Sequence, residues 1–105
     1  MDKLSDDKTL SDYIALTGEN VLVCYFNADW NRPGITAAPD AESAAAAESV
    51  RIVEASVDDC RDVAAKYGVT GVPATLVFKN GRLVAKEIGV RSSERIRKLI
   101  QGEPE

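Results

Sequence analysis

Six consecutive apolar residues, Val21-Leu22-Val23-Cys24-Tyr25-Phe26, run directly into Asn27-Ala28-Asp29-Trp30-Asn31-Arg32-Pro33-Gly34 and then into a stretch rich in Ala and Glu. A short apolar run without alternation, built from branched and aromatic side chains, reads as a strand covered on both faces. Pro at the head of an Ala-rich segment reads as the first turn of a helix. A buried strand that turns at once into a helix belongs to an open α/β sheet, and such sheets keep their working surface just outside the carboxyl ends of their strands. The turn that presents Trp30 is therefore the first place to look for function.

The rest of the chain supplies the other elements. From Asp7 to Thr17, Leu10, Tyr13 and Ile14 recur at helical spacing, with Asp6 or Asp7 to cap and Gly18 to stop. The helix after the turn, from Arg32 or Pro33 to Ser49, must kink at Pro39, which lacks an N–H and crowds the preceding turn. Its Ala37, Ala38, Ala41 and Ala44 to Ala47 offer little bulk to a core, Ile35 apart. Either it sits close to the sheet, or the protein is modestly stable, or an Ala-rich outer face receives a partner helix. Val50 to Val57 reads as a second buried strand, and Asp58-Asp59 as the cap of a short helix carrying Val63, Ala64 and Tyr67 that ends at Gly68. Pro73 precedes a strand from Ala74 to Phe78, where Pro is tolerated at the edge of a ladder. Lys79-Asn80-Gly81-Arg82 predicts a type I′ hairpin into Leu83 to Ile88. Ser92 or Ser93 caps a last helix with Ile96, Leu99 and Ile100 inward, followed by a polar tail from Gln101 to Glu105 that is expected to fray. A short edge strand is placed around Lys3-Leu4. Parallel crossovers plus one hairpin give a mixed sheet of four or five strands flanked by four helices.

Composition narrows the function. A length of 105 residues suits one domain, 1–105. Net charge −4 disfavours nucleic acid, and Arg91, Arg95, Arg97 and Lys98 read as a solvated helix face. No apolar run approaches the roughly 20 residues a membrane helix needs, and the acidic N-terminal residues lack a signal-peptide h-region, so a cytoplasmic protein is expected. The chain has no His, which removes imidazole metal sites and Ser/His or Cys/His catalysis. Two cysteines, Cys24 and Cys60, are too few and too far apart for a zinc motif, so neither metal nor cofactor is expected.

The Trp30 turn resembles the active-site turn of the thioredoxin family, Trp-Cys-Gly-Pro-Cys. The likeness extends from about Thr9 onward, through Ala38-Pro39, Asp58-Asp59-Cys60-Arg61-Asp62-Val63-Ala64, Lys66-Tyr67-Gly68-Val69-Thr70-Gly71-Val72-Pro73, Phe78-Lys79-Asn80-Gly81 and Gly89. It implies the thioredoxin fold, a cis Val72-Pro73 bond, and a groove of Trp30, Asn31, Gly71, Val72, Pro73 and Gly89 that holds an extended protein or peptide segment. The plainer role for Trp30 is a half-exposed aromatic packed on the loops.

The departures fall on the chemistry. Asn31 and Gly34 stand at the family's two cysteine positions, and neither can be the thiolate or the resolving thiol of a dithiol catalyst. Tyr25 and Glu54 stand where the family keeps a buried Asp and a Lys to move protons. Asn31 is expected to cap the following helix. Cys60, in the first turn of the next helix but among Asp58, Asp59 and Asp62, is expected to be a nearly ordinary, partly exposed thiol. These features lead to the expectation of a redox-inactive, non-enzymatic protein-binding module, an assembly factor, subunit or scaffold. It would be monomeric, with a Cys60-linked dimer as the variant. The alternative is a thiol-disulfide oxidoreductase of the thioredoxin type acting through Cys60 alone.

Overall fold

The computed structural model describes residues 1–102. Its elements are β1 (Asp2–Leu4), α1 (Asp7–Ala15), β2 (Val21–Asn27), α2 (Arg32–Ala47), β3 (Arg51–Ser56), α3 (Arg61–Lys66), β4 (Ala74–Lys79), β5 (Arg82–Ile88) and α4 (Ser93–Gln101). The five strands form one mixed sheet in the order β1-β3-β2-β4-β5. β1 and β2 both run parallel to β3, while β4 lies antiparallel to β2 and β5. Because β2 is central, both of its faces are covered, which is why it carries no polar alternation.

Period-2 geometry sends Leu22, Cys24 and Phe26 to one face and Val23 and Tyr25 to the other. The first face packs on Leu10 and Ile14 of α1 and Val63 and Ala64 of α3, together with Val53, Ala55, Leu76 and Phe78. The second face packs on α2 and α4, through Ala41, Ala44, Ile96 and Leu99. The Ala-rich stripe of α2 is thus matched by bulk from this chain itself: Tyr25, Ile52, Ile96 and Ile100 fill the space that larger α2 residues would occupy. Ile35, expected to supply the one large inward residue of α2, is 46% exposed instead.

Several ends differ from the sequence reading for local reasons. Asp58 and Asp59 do not cap α3. The N-cap is Cys60, with no side-chain bond, and the Val63 amide instead donates to Asp7 Oδ1 at 2.9 Å. A carboxylate at the start of α1 thus serves the start of α3 from 56 residues away. Asp6 caps α1 by accepting from the Thr9 amide at 2.8 Å, and Ser92 caps α4 by accepting from Arg95 N at 3.1 Å. The hairpin is as Asn-Gly demands, with Asn80 and Gly81 both at positive φ. A bulge follows, because Val77 pairs with Ala85 and Phe78 with Leu83, leaving Val84 unpaired and largely exposed. Gly102 ends α4 in the left-handed region, and the remainder of the predicted tail lies outside the described residues. No helix among the described residues is long and apolar enough to cross a membrane.

Candidate functional site

The register fixes what meets at the carboxyl end of β2. Phe26 pairs with Ala74, so Pro73 stands beside Asn27 as the two chains leave the sheet. Ala74 also pairs with Ile88, and the Gly89 amide donates to the Pro73 carbonyl at 2.7 Å. The Trp30 turn, the segment Gly71-Val72-Pro73 and Gly89 therefore emerge side by side at one end of the molecule. The Val72-Pro73 bond is cis. Trp30 is 68% exposed, and Val90 beside Gly89 is also exposed.

Behind Trp30 the turn is closed by a pair of asparagines. Asn31 does not cap α2 as expected; its Nδ2 donates back to Asn27 Oδ1 at 2.9 Å, while Asn27 Nδ2 reaches the Asn31 carbonyl at 3.4 Å. Asn27 is buried, and its amide lies against Gly34. A Cβ on Gly34 would come within 2.6 Å of Asn27 Cγ and 2.8 Å of Nδ2, and nearer still to Oδ1. Sequence reading passed over Asn27. An asparagine ending a strand four residues before another was the available signal.

Beside this pair a cleft of about 230 Å³ is lined by Lys3, Asn27, Ala28, Asp29, Ile35, Glu54 and Ser56. Lys3 pairs with Asp29 at 3.2 Å, and its ammonium is held above its ordinary pKa by that hydrogen bond and charge, with Glu54 and Asp59 adding to the effect. Tyr25, across the ladder from Glu54, donates its hydroxyl to the Gly34 carbonyl at 2.6 Å. Burial first, then Glu54 and Asp40, push its phenol up to about 12. It therefore holds its proton at neutral pH and serves to tie α2 to the sheet. Among the described residues no group of three or more His, Cys, Asp or Glu side chains could hold a metal ion.

The sulfurs lie elsewhere. Cys24 is buried in mid-strand, and burial raises its thiol far above the ordinary range. Cys60 lies at the carboxyl end of β3, after the loop that follows Ser56, and is fully buried rather than partly exposed. Its Sγ is 3.8 Å from the carbonyl of Leu4 in β1, so the edge strand covers it. Burial and then Asp7, Asp59 and Asp6 push this thiol up to about 11, which corrects the expectation of an ordinary one.

The thioredoxin family model matches residues 3–102. The chain belongs to the thioredoxin family. It is 42% identical over 88 residues to a thioredoxin of Echinococcus granulosus, covering 83% of this chain and 81% of that one. With a thioredoxin of Bacillus subtilis it shares 32% identity over 94 residues, 88% of this chain and 90% of the relative. The solved thioredoxin of Fasciola hepatica superposes with a TM-score of 0.85 at 28% identity, over 99% of this chain and all of that one. The fold expected from sequence is the fold found. The expectation of a redox-inactive binding module is corrected by these relatives, whose shared name supports a redox protein of the thioredoxin type.

Proposed function

We propose that the chain is a thiol-disulfide oxidoreductase of the thioredoxin type that works through one sulfur, that of Cys60. The observation that carries the reaction class is the extent of likeness to proteins named thioredoxin, which reaches 42% identity over four-fifths of both chains. The choice of sulfur rests on position. Cys24 is enclosed between β3 and β4, whereas Cys60 sits at an element end beneath a three-residue edge strand.

With its thiol near 11, Cys60 is ionised in roughly one molecule in 10⁴ at pH 7 while covered. Reaction accordingly goes through molecules in which β1 has moved aside and Sγ meets water. The Cys60 thiolate attacks one sulfur of a protein disulfide, the S–S bond breaks, and the leaving thiolate takes a proton from solvent. A small monothiol of the glutathione class then attacks the substrate sulfur of the mixed disulfide, which frees Cys60 as thiolate and leaves the substrate as a glutathionylated protein. A second monothiol attacks the glutathione sulfur of that protein, which releases oxidised glutathione and the substrate's second thiol. Two electrons pass in all from two small thiols to one protein disulfide.

The surface of Trp30, Asn31, Gly71, Val72, Pro73 and Gly89, at the β2-β4-β5 side of the sheet end and apart from Cys60, holds an extended segment of the substrate protein, with the Trp30 ring as its apolar anchor. The cytoplasm, where glutathione is abundant and reduced, suits such a cycle. The working form is a monomer.

The test is the rate of reduction of a protein disulfide by reduced glutathione, with wild type, Cys60→Ser and Cys24→Ser compared. Activity in wild type and Cys24→Ser that disappears in Cys60→Ser is expected. No rate above the glutathione background, or a rate untouched by Cys60→Ser, overturns the proposal.

A further inference from the structure

We propose that Arg91 makes the groove selective for an acidic segment, one that carries an Asp or Glu beside the residue that packs on Trp30. The inference rests on the groove assigned above and not on the chemistry of Cys60. Arg91 lies in the loop between β5 and α4, outside the helix face it was expected to share with Arg95, Arg97 and Lys98. Its side chain turns back onto Gly89, whose amide bond to the Pro73 carbonyl, 2.7 Å long, sets it beside the groove. A Cβ at Gly89 would meet Arg91 Nη1 at 2.8 Å and Cζ at 3.6 Å. The guanidinium thus occupies the space that a side chain at Gly89 would take.

The bonds around this guanidinium decide what it can recognise. Glu87 accepts two hydrogen bonds from Arg95, from Nε at 2.9 Å and from Nη2 at 3.4 Å. Arg91 approaches the same carboxylate only through Nε at 3.6 Å, too long for a hydrogen bond. Its Nη1 donates to the Val90 carbonyl at 2.9 Å, and its Nη2 makes no hydrogen bond among the described residues. A planar guanidinium with donors to spare suits a carboxylate, and a chain laid over the exposed Trp30 and Val90 would shield the pair from water. Across the turn the charge has the other sign. The Val57 amide donates to the Asn27 carbonyl at 2.9 Å, which brings Asp58 and Asp59 to the β3 side of the turn, and Asp29 there already pairs with Lys3. An acidic residue is repelled on that side and drawn to the Gly89 end, so the selectivity has a fixed place along the segment. The net charge of −4 opposes a polyanion, which leaves one carboxylate on an otherwise apolar chain as the fit.

Trp30 is the chain's only tryptophan, so its fluorescence reports occupancy of the groove. The probes are capped, cysteine-free heptapeptides of Val and Ser around a central Leu, with Glu, Gln or Lys placed on one side of the Leu or the other. In one of the two placements, wild type is expected to bind the Glu peptide at least about fivefold more tightly than the Gln peptide, and the Lys peptide most weakly. Arg91→Gln should bring the Glu and Gln peptides to equal Kd. Arg91→Glu should favour Lys, a reversal that a purely structural role for Arg91 would not produce. Saturable binding without preference in wild type, or a preference for Glu that survives Arg91→Gln, overturns the proposal and leaves the groove standing. No saturable change in fluorescence with any peptide overturns the groove assignment and the proposal with it.

Discussion

Tyr25 shows how one residue can change the chemistry of a strand without changing its place in the fold. Its ring fills the space over Ala41 and Ala44, and its hydroxyl satisfies the Gly34 carbonyl in the first turn of α2. Tyr25→Phe keeps the ring and removes the bond, so a loss of about 1 kcal/mol in urea unfolding is expected, with more if the carbonyl stays dry. No change would mean that the carbonyl is satisfied elsewhere. The buried thiols make stability depend on pH in a definite direction. Cys60 moves from an ordinary 9.0 to about 11 on folding, so the folded state holds its proton more tightly. That contribution is complete below pH 9 and is lost as pH rises through 11. Near pH 10 it has fallen by on the order of 1 kcal/mol. Unfolding midpoints at pH 7 and pH 10 should therefore fall less in Cys60→Ser than in wild type, and an equal fall would contradict the assignment.

At the scale of elements, the sequence was informative wherever a signal was local. The Asn80-Gly81 turn, the Asp6 and Ser92 caps and the apolar run of β2 all depend on neighbours within a few residues, and all appear where local rules put them. The start of α3 did not, because its cap comes from Asp7, a residue that belongs to another helix and is close only after folding. Asp7→Ala should thus cost about 1 kcal/mol in urea unfolding, whereas Asp58→Ala, which offers its carboxylate to no helix amide, should cost little. The reverse order would restore the sequence-based cap. The Ala-rich helix follows the same logic. Its composition signalled small residues, yet only packing revealed that Tyr25, Ile96 and Ile100 already fill the gap. Ala44→Leu should then destabilise by roughly 1–3 kcal/mol through overpacking, and a gain in stability would mean a void lies beneath α2. The asparagine pair at the turn was legible as residue types but not as a contact, since nothing in the order of letters says that Asn27 points toward Gly34.

For the whole molecule, the placement of the two thiols matters more than their number. Cys24 is in the middle of the central strand, and exposing it requires separating β2 from β3 or β4 together with the helices above them. Cys60 is covered by β1, an edge strand whose ladder among the described residues is Asp2↔Val53, Lys3↔Glu54 and Leu4↔Ala55. The pairs Arg51–Asp2 and Lys3–Asp29 that help to hold it are solvent-exposed, and such pairs add little. Leu4, buried against the first-face core, is its main anchor. Local opening of an edge element costs less than global unfolding, so the two thiols should be reached by different motions. In native buffer at pH 8, Cys60 is expected to react with a soluble aromatic disulfide at least about tenfold faster than Cys24. Leu4→Ala should speed Cys60 by about tenfold or more, since part of the roughly 2–5 kcal/mol that such truncations cost falls on the closed strand alone. Cys24 in the same variant should change only as far as global stability does. Equal rates for the two thiols, in wild type and in Leu4→Ala, would mean that β1 never opens by itself, and a redox cycle through Cys60 would then have to unfold the protein at every turnover.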